Sequence, residues 1–168
     1  IVYYWSGSAY ITTEGGGVHD KITWDGSVFR WTDGDTGTVE TYAPGGPSPW
    51  YRLSTVSDTS GNALTYGYTG DKLTSITTAN GETLTYAWSG NHITEVNSGD
   101  GTLTRYYYDG YDRLSRVDAE LTSGGAVYST YYSYHGSSKL VATISETDGS
   151  YLAIGYDGAN RVTSLTQT

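Results

Sequence analysis

A near-periodic recurrence constrains this chain more than any other feature. The stretch from Tyr106 to Val117 reads YYYDGYDRLSRV: an aromatic strand, a tight turn, and a second strand opening on Arg-Leu. Weaker copies are Tyr68-Thr69-Gly70-Asp71-Lys72-Leu73, Trp88-Ser89-Gly90-Asn91-His92-Ile93, Tyr134-His135-Gly136 reaching Leu140, and Tyr156-Asp157-Gly158-Ala159-Asn160-Arg161-Val162. The anchor aromatics fall at 68, 88, 108, 134 and 156, with gaps of 20, 20, 26 and 22 residues. Two strands of about seven residues and two turns of about three total about 20, within ordinary strand and loop lengths. A period in this range marks a repeat architecture.

The turns identify the strands as hairpins. One turn follows each anchor (Thr69-Gly70, Ser89-Gly90, Asp109-Gly110, His135-Gly136, Asp157-Gly158), and another lies mid-repeat (Ser60-Gly61-Asn62, Asn80-Gly81, Asp100-Gly101, Ser123-Gly124-Gly125, Asp148-Gly149). Asn-Gly and Asp-Gly supply the positive φ angles that two-residue hairpins need. The chain carries 23 glycines and 18 tyrosines in 168 residues, with abundant Thr and Ser and no long run of helix formers. That composition fits pleated strands joined by glycine turns. The expectation is an all-β domain of successive hairpins forming a curved, twisted ribbon with the anchor aromatics inside.

Strands running into each anchor alternate: Leu64/Tyr66/Tyr68, Leu84/Tyr86/Trp88, Thr104/Tyr106/Tyr108, Thr130/Tyr132/Tyr134 and Leu152/Ile154/Tyr156 each share a face. Strands leaving the anchors place their apolar residues three apart, as in Leu73/Ile76, Ile93/Val96, Leu114/Val117 and Val162/Leu165. A recurrent bulge, or burial on both faces, accounts for that spacing. Residues 1–49 follow the rule loosely, with anchors at Trp5, Trp24 and Tyr42 and a turn at Asp33-Gly34-Asp35-Thr36-Gly37. They end in Ala43-Pro44-Gly45-Gly46-Pro47-Ser48-Pro49, which cannot be a central strand and reads as an enlarged turn inside a repeat. Residues 50–168 hold the regular repeats, and Tyr51-Arg52-Leu53-Ser54-Thr55-Val56 restores the Arg-Leu-Ser-x-Val order of Arg113 to Val117 at once.

The formal charge is −9 and the nine basic residues are scattered. Phosphate binding depends on clustered Lys and Arg, so nucleic acid is an unfitting partner. No stretch approaches 18 apolar residues, so no membrane span is expected. There is no Cys, hence no disulfide frame or thiolate site, and no Met, which reads as a processed or excised piece of a longer chain. An enzyme is not expected. His19, His92 and His135 are far apart in sequence and read as exposed turn residues, and no nucleophile elbow or His-rich metal spacing occurs. The Asp of each Asp-Gly reads as turn chemistry. No cofactor is expected; the one weak calcium candidate is Asp33-x-Asp35-x-Gly37 with Glu40 beyond, hard oxygens in a short loop.

At these residues the chain resembles the Rhs or YD-repeat family, whose unit runs Y-D-x-x-G-R-L before a glycine turn and a return strand. Tyr108-Asp109 with Arg113-Leu114, and Tyr156-Asp157 with Arg161-Val162, match it best. The Arg-Leu-type positions of the other repeats are Arg52-Leu53, Lys72-Leu73, Ile93 and Leu140. The glycine before Arg is replaced by Asp112 and Asn160. The resemblance implies a secreted or cell-surface protein whose β-ribbon coils into a hollow shell, non-catalytic itself, that encloses a toxin domain. A rival expectation is a carbohydrate-binding or adhesive module, or a self-assembling extracellular filament, with Tyr and Trp faces stacking on sugar rings. The terminal segments, Ile1 to Trp5 and Arg161 to Thr168, carry one charge and no proline between them, so pairing with further repeats or with copies of the same chain is expected there.

Overall fold

In the computed structural model, residues 2–12, 19–45 and 50–168 are described. Every element is a strand: β1 (Tyr4–Trp5), β2 (Tyr10–Ile11), β3 (Lys21–Trp24), β4 (Phe29–Thr32), β5 (Val39–Pro44), β6 (Tyr51–Ser57), β7 (Ala63–Thr69) and β8 (Lys72–Thr78), followed by β9 (Thr83–Ser89), β10 (His92–Ser98), β11 (Leu103–Tyr108), β12 (Leu114–Glu120), β13 (Val127–Tyr134), β14 (Val141–Glu146), β15 (Tyr151–Tyr156) and β16 (Val162–Gln167). The hydrogen-bonded order is the chain order, β1 to β16, with no crossover. The all-β, repeated-hairpin expectation is therefore met. The chain forms two compact units, Ile1–Thr85 and Tyr86–Thr168.

In both units the three-apart spacing has one cause. Opposite Gly67 stands Ser75 and opposite Tyr68 stands Leu73, so Thr74 is an extra residue on β8. The same shift occurs at Tyr42 opposite Leu53, Tyr108 opposite Leu114, Tyr134 opposite Val141 and Tyr156 opposite Val162. Because side chains alternate along a strand, one inserted residue returns Leu73 to the face of Ile76, which lies opposite Tyr66. Where the extra residue is serine, its hydroxyl donates across the bulge: Ser54 to the Thr41 carbonyl at 3.0 Å and Ser115 to the Tyr107 carbonyl at 3.1 Å. The β1–β2 and β3–β4 hairpins pair without such a shift.

Mid-repeat turns differ from the two-residue form. Thr78 N donates to the Glu82 carbonyl and Gly81 N to the Thr78 carbonyl, leaving a three-residue loop closed by a left-handed glycine. Ser98–Thr102 and Glu146–Ser150 repeat this bonding. Only the glycine takes a positive φ (92° at Gly81, 96° at Gly101), and Asp100 and Asp148 accept the amides of Thr102 and Ser150 instead. This is the hairpin in which a turn is followed by one left-handed residue.

The proline stretch joins two adjacent antiparallel strands, with Pro44 opposite Tyr51. Residues 46–49 lie outside the described residues. Strand β5 extends further than expected, through Ala43 and Pro44. Pro44 is tolerated because the pairing with β4 stops at Tyr42, so its missing N–H interrupts no ladder there.

The anchors are not inside a closed core. Ala9 is the one buried hydrophobic among the described residues, while Trp5 is 60 % exposed and Tyr68 37 %. Sheet faces bury fully only against another layer, and here the apolar rows are covered largely by their own neighbours. In the first unit Trp24 packs on Phe29 at 4.5 Å, and Tyr51 meets both rings edge-on. Trp5 lies 5.1 Å from Tyr10.

Candidate functional site

The residues of the Tyr-Asp and Arg-Leu positions converge at the joint between one repeat and the next. The exit strand pairs with the following strand only from two residues past its aliphatic position: Thr55 with Thr65, Glu95 with Arg105, Arg116 with Tyr131 and Thr143 with Ala153. The carbonyl at the aliphatic position lies beyond that ladder and needs another donor. The next anchor supplies it. Tyr68 Oη donates to the Leu53 carbonyl (3.0 Å), Tyr108 to Ile93 (3.0 Å), Tyr134 to Leu114 (2.6 Å) and Tyr156 to Val141 (3.0 Å). Burial pushes the Tyr108 and Tyr134 phenols up, so both remain protonated donors through the neutral range.

The turn after the anchor is locked by its aspartate. Asp109 Oδ1 accepts the amides of Tyr111 and Arg113, and Oδ2 accepts Arg113 Nε and Nη2 at 2.8 and 2.6 Å. Asp157 repeats the arrangement with Ala159 and Arg161. The arginine holds the Asp109 carboxyl below its ordinary range, and the Arg161 amide followed by its side chain does so at Asp157. Asp112 and Asn160 stand at φ 65° and 62°. Asp and Asn are the non-glycine residues that best tolerate this region, which accounts for their place before the arginine.

Arginine then spans the joint. Arg113 Nη1 donates to the Gly136 and Ser138 carbonyls at 2.8 and 2.5 Å, and its guanidinium lies 4.3 Å from the centre of the Tyr134 ring. Arg52 donates to the Gly70 carbonyl, pairs with Asp71, and lies 5.3 Å from the Tyr68 ring. Thus tyrosine reaches back one repeat while arginine reaches forward, and the two stack.

His92 stands at the arginine position of its repeat. Its ring stacks on Tyr108 at 4.1 Å, with Nδ1 3.7 Å from Asp112 Oδ1. His135 sits edge-on to Tyr156, with Nε2 3.1 Å from the Ile154 carbonyl. His135 is an exposed turn residue as its position suggests, whereas His92 is half-buried on β10; each lies against the next anchor. His19 is exposed, and its backbone closely approaches Gly34. Leu140 stands at the arginine rather than the leucine position: its carbonyl accepts the His135 amide as Arg113 accepts that of Asp109, and Val141 faces Tyr134. The turn here is one residue longer than the aliphatic pattern suggests. Lys72 and Leu73 open β8, Ile93 follows His92 on β10, and Trp88 lies half-buried on β9.

Asp33, Asp35 and Glu40 are not drawn together. Asp33 Oδ1 accepts the amides of Asp35 and Thr36 within its own turn, and Glu40 accepts the Tyr42 hydroxyl. That bond, with burial, pushes Tyr42 up to about 12. Among the described residues no group of three His, Cys, Asp or Glu is placed to hold a metal ion, and no helix is long and apolar enough to cross a membrane.

The face of β12 away from the anchors carries a network that sequence reading missed. Asp118 and Glu120 are buried, with Asp118 accepting the Ser129 hydroxyl at 2.7 Å and Glu120 bonded to Arg105 and the Gly124 amide. Alternation in Arg116-x-Asp118-x-Glu120 was the available signal. Compared with known proteins, the chain matches no family model and no curated protein.

Proposed function

We propose that the chain is a non-catalytic structural segment of a secreted or surface YD-repeat protein, whose hairpins build the wall of a shell around a cargo such as a toxin domain. What carries the reading is the use of the motif residues. The tyrosines, aspartates and arginines that would equip a catalytic site are engaged at Tyr68–Leu53, Tyr134–Leu114, Arg113–Asp109 and Arg113–Gly136, bonds within one repeat or between adjacent repeats. A residue committed in this way supports assembly of a wall rather than turnover. Limited proteolysis of the parent protein tests it. A cargo segment should resist protease in the intact parent and become cleavable when Tyr134→Phe and Arg113→Ala open a joint. A cargo equally cleavable in both would refute the enclosure.

One observation favours carbohydrate binding as the second reading. Tyr10, Ile22, Phe29, Trp31, Tyr42 and Tyr51 line an apolar cleft in the first unit. Sugar rings stack on such faces. A glycan array with the intact chain and with Trp31→Ala separates the readings: loss of a specific signal in the variant would support it, and no signal from the intact chain would end it.

A further inference from the structure

The anchor face of the first unit carries one residue out of keeping with its neighbours. Residues directly opposite one another on paired strands share a face. One such row runs Trp5, Tyr10, Ile22, Trp31, Glu40 and Val56 across β1 to β6. Five of these are aromatic or aliphatic, and Glu40 is a carboxylate. Glu40 is half-buried, and a charge drawn out of water needs an opposite charge or hydrogen bonds. It accepts the Tyr42 hydroxyl, and among the described residues it pairs with no base. Lys21 and Arg30 alternate onto the other face of β3 and β4, opposite Thr32 and Thr23. Arg52 is taken by the Gly70 carbonyl and Asp71. The bond from Tyr42 to Glu40 pushes the phenol up to about 12, so the hydroxyl stays the donor and the charge stays on the carboxylate.

Beside Glu40 lies the apolar cleft lined by Tyr10, Ile22, Phe29, Trp31, Tyr42 and Tyr51. Trp31 is the cross-strand neighbour of Glu40 and Tyr42 is its hydrogen-bond donor, so the carboxylate stands at one side of the cleft. We propose that this cleft binds an organic cation, a quaternary ammonium group. Aromatic rings attract a cation through their quadrupole, and five rings around one cleft act together. The carboxylate next to them supplies charge complementarity that a neutral ligand would leave unused. A quaternary ammonium carries no N–H and needs no acceptor. That suits a cleft in which Trp31 Nε1 already donates to Tyr3 Oη at 2.9 Å and Tyr42 Oη to Glu40. A sugar brings hydroxyls that need partners of their own, and these two rings have no polar hydrogen to spare for them. A wall segment can hold such a cation on one face without any turnover.

Ligand-observed NMR titration of the whole chain tests it, at constant ionic strength so that screening is equal throughout. The probes are choline chloride, its uncharged isostere 3,3-dimethyl-1-butanol, and glucose. Choline should bind saturably, and the isostere about tenfold more weakly, the worth of a partly desolvated cation against several rings. Glu40→Gln keeps the shape and removes the charge; it should weaken choline about fivefold and leave the isostere unchanged. Trp31→Ala should abolish choline binding with the β-sheet spectrum intact. Equal affinity for choline and the isostere overturns the cation site, as does a choline affinity unmoved by Glu40→Gln. A chain with its β spectrum intact and no saturable choline binding also overturns it and leaves the wall reading standing. Glucose bound in place of choline overturns it in favour of sugar stacking.

Discussion

Tyr134 shows what one hydroxyl does in this chain. Its 2.6 Å bond to the Leu114 carbonyl lies at a half-buried joint where water competes poorly. Tyr134→Phe leaves that carbonyl without its donor, at about 1 kcal/mol, or a fall of about 2–4 °C in Tm for a chain of this size. Arg113 is more demanding, since it holds Asp109, two carbonyls and the Tyr134 face at once. An ammonium cannot reproduce that fork, so Arg113→Lys should cost more than about 1 kcal/mol. Arg161→Lys, at an exposed position, should change stability by less than about 0.5 kcal/mol; thermal melts of the two variants make the comparison. The turn aspartates set the acid response. Asp25 is lowered to about 2, chiefly by the Val28 amide and by Arg30, and Asp58, Asp100, Asp109, Asp148 and Asp157 are also lowered. Depressed carboxyls contribute stability that is present above the ordinary value near 3.8 and lost as pH falls towards about 2. Tm should therefore be level through neutral pH and fall below about pH 4; a Tm unchanged down to about pH 2 would contradict this.

At the scale of the hairpin, the bulge is the shared device. Gly67 faces Ser75 and Gly155 faces Ser164, and in both a side chain on the glycine would run into the serine hydroxyl. The rest of Ser75 stands at ordinary contact distance, so rotation of its hydroxyl relieves the clash and Gly67→Ala should change stability by less than about 1 kcal/mol. A loss above about 2 kcal/mol in thermal melts would show that the serine hydroxyl is held in place. This element was largely legible in sequence. The Asx-Gly turns and the alternation into each anchor located the hairpins, and the three-apart aliphatics pointed to the bulge. The exact loop form was not legible, because Asn80-Gly81 is compatible with both two- and three-residue closures, and local bonding from Thr78 to Glu82 decides between them.

Across the chain, stability should follow nearest neighbours, as expected of repeats. Substitutions within one joint, Tyr134→Phe with Arg113→Lys, should couple, whereas Tyr134→Phe with Tyr68→Phe should add. The joints themselves were hidden from sequence reading. Their donors and acceptors lie in different repeats, as Leu53 and Tyr68, Ile93 and Tyr108, and Val141 and Tyr156 do; the constant spacing of 15 residues in these three pairs was the signal that could have exposed them. The anchors are less buried than their period suggests for a related reason. Aromatic periodicity reads as core, but here the phenols serve hydrogen bonding at the edge of each repeat. The most direct measurement is a Tyr→Phe series read by thermal melts: Tyr68, Tyr108, Tyr134 and Tyr156 against the exposed Tyr4 and Tyr128. The four joint tyrosines should each lower Tm and the two controls should not. A uniform response across all six would contradict the hydroxyl-to-carbonyl joints.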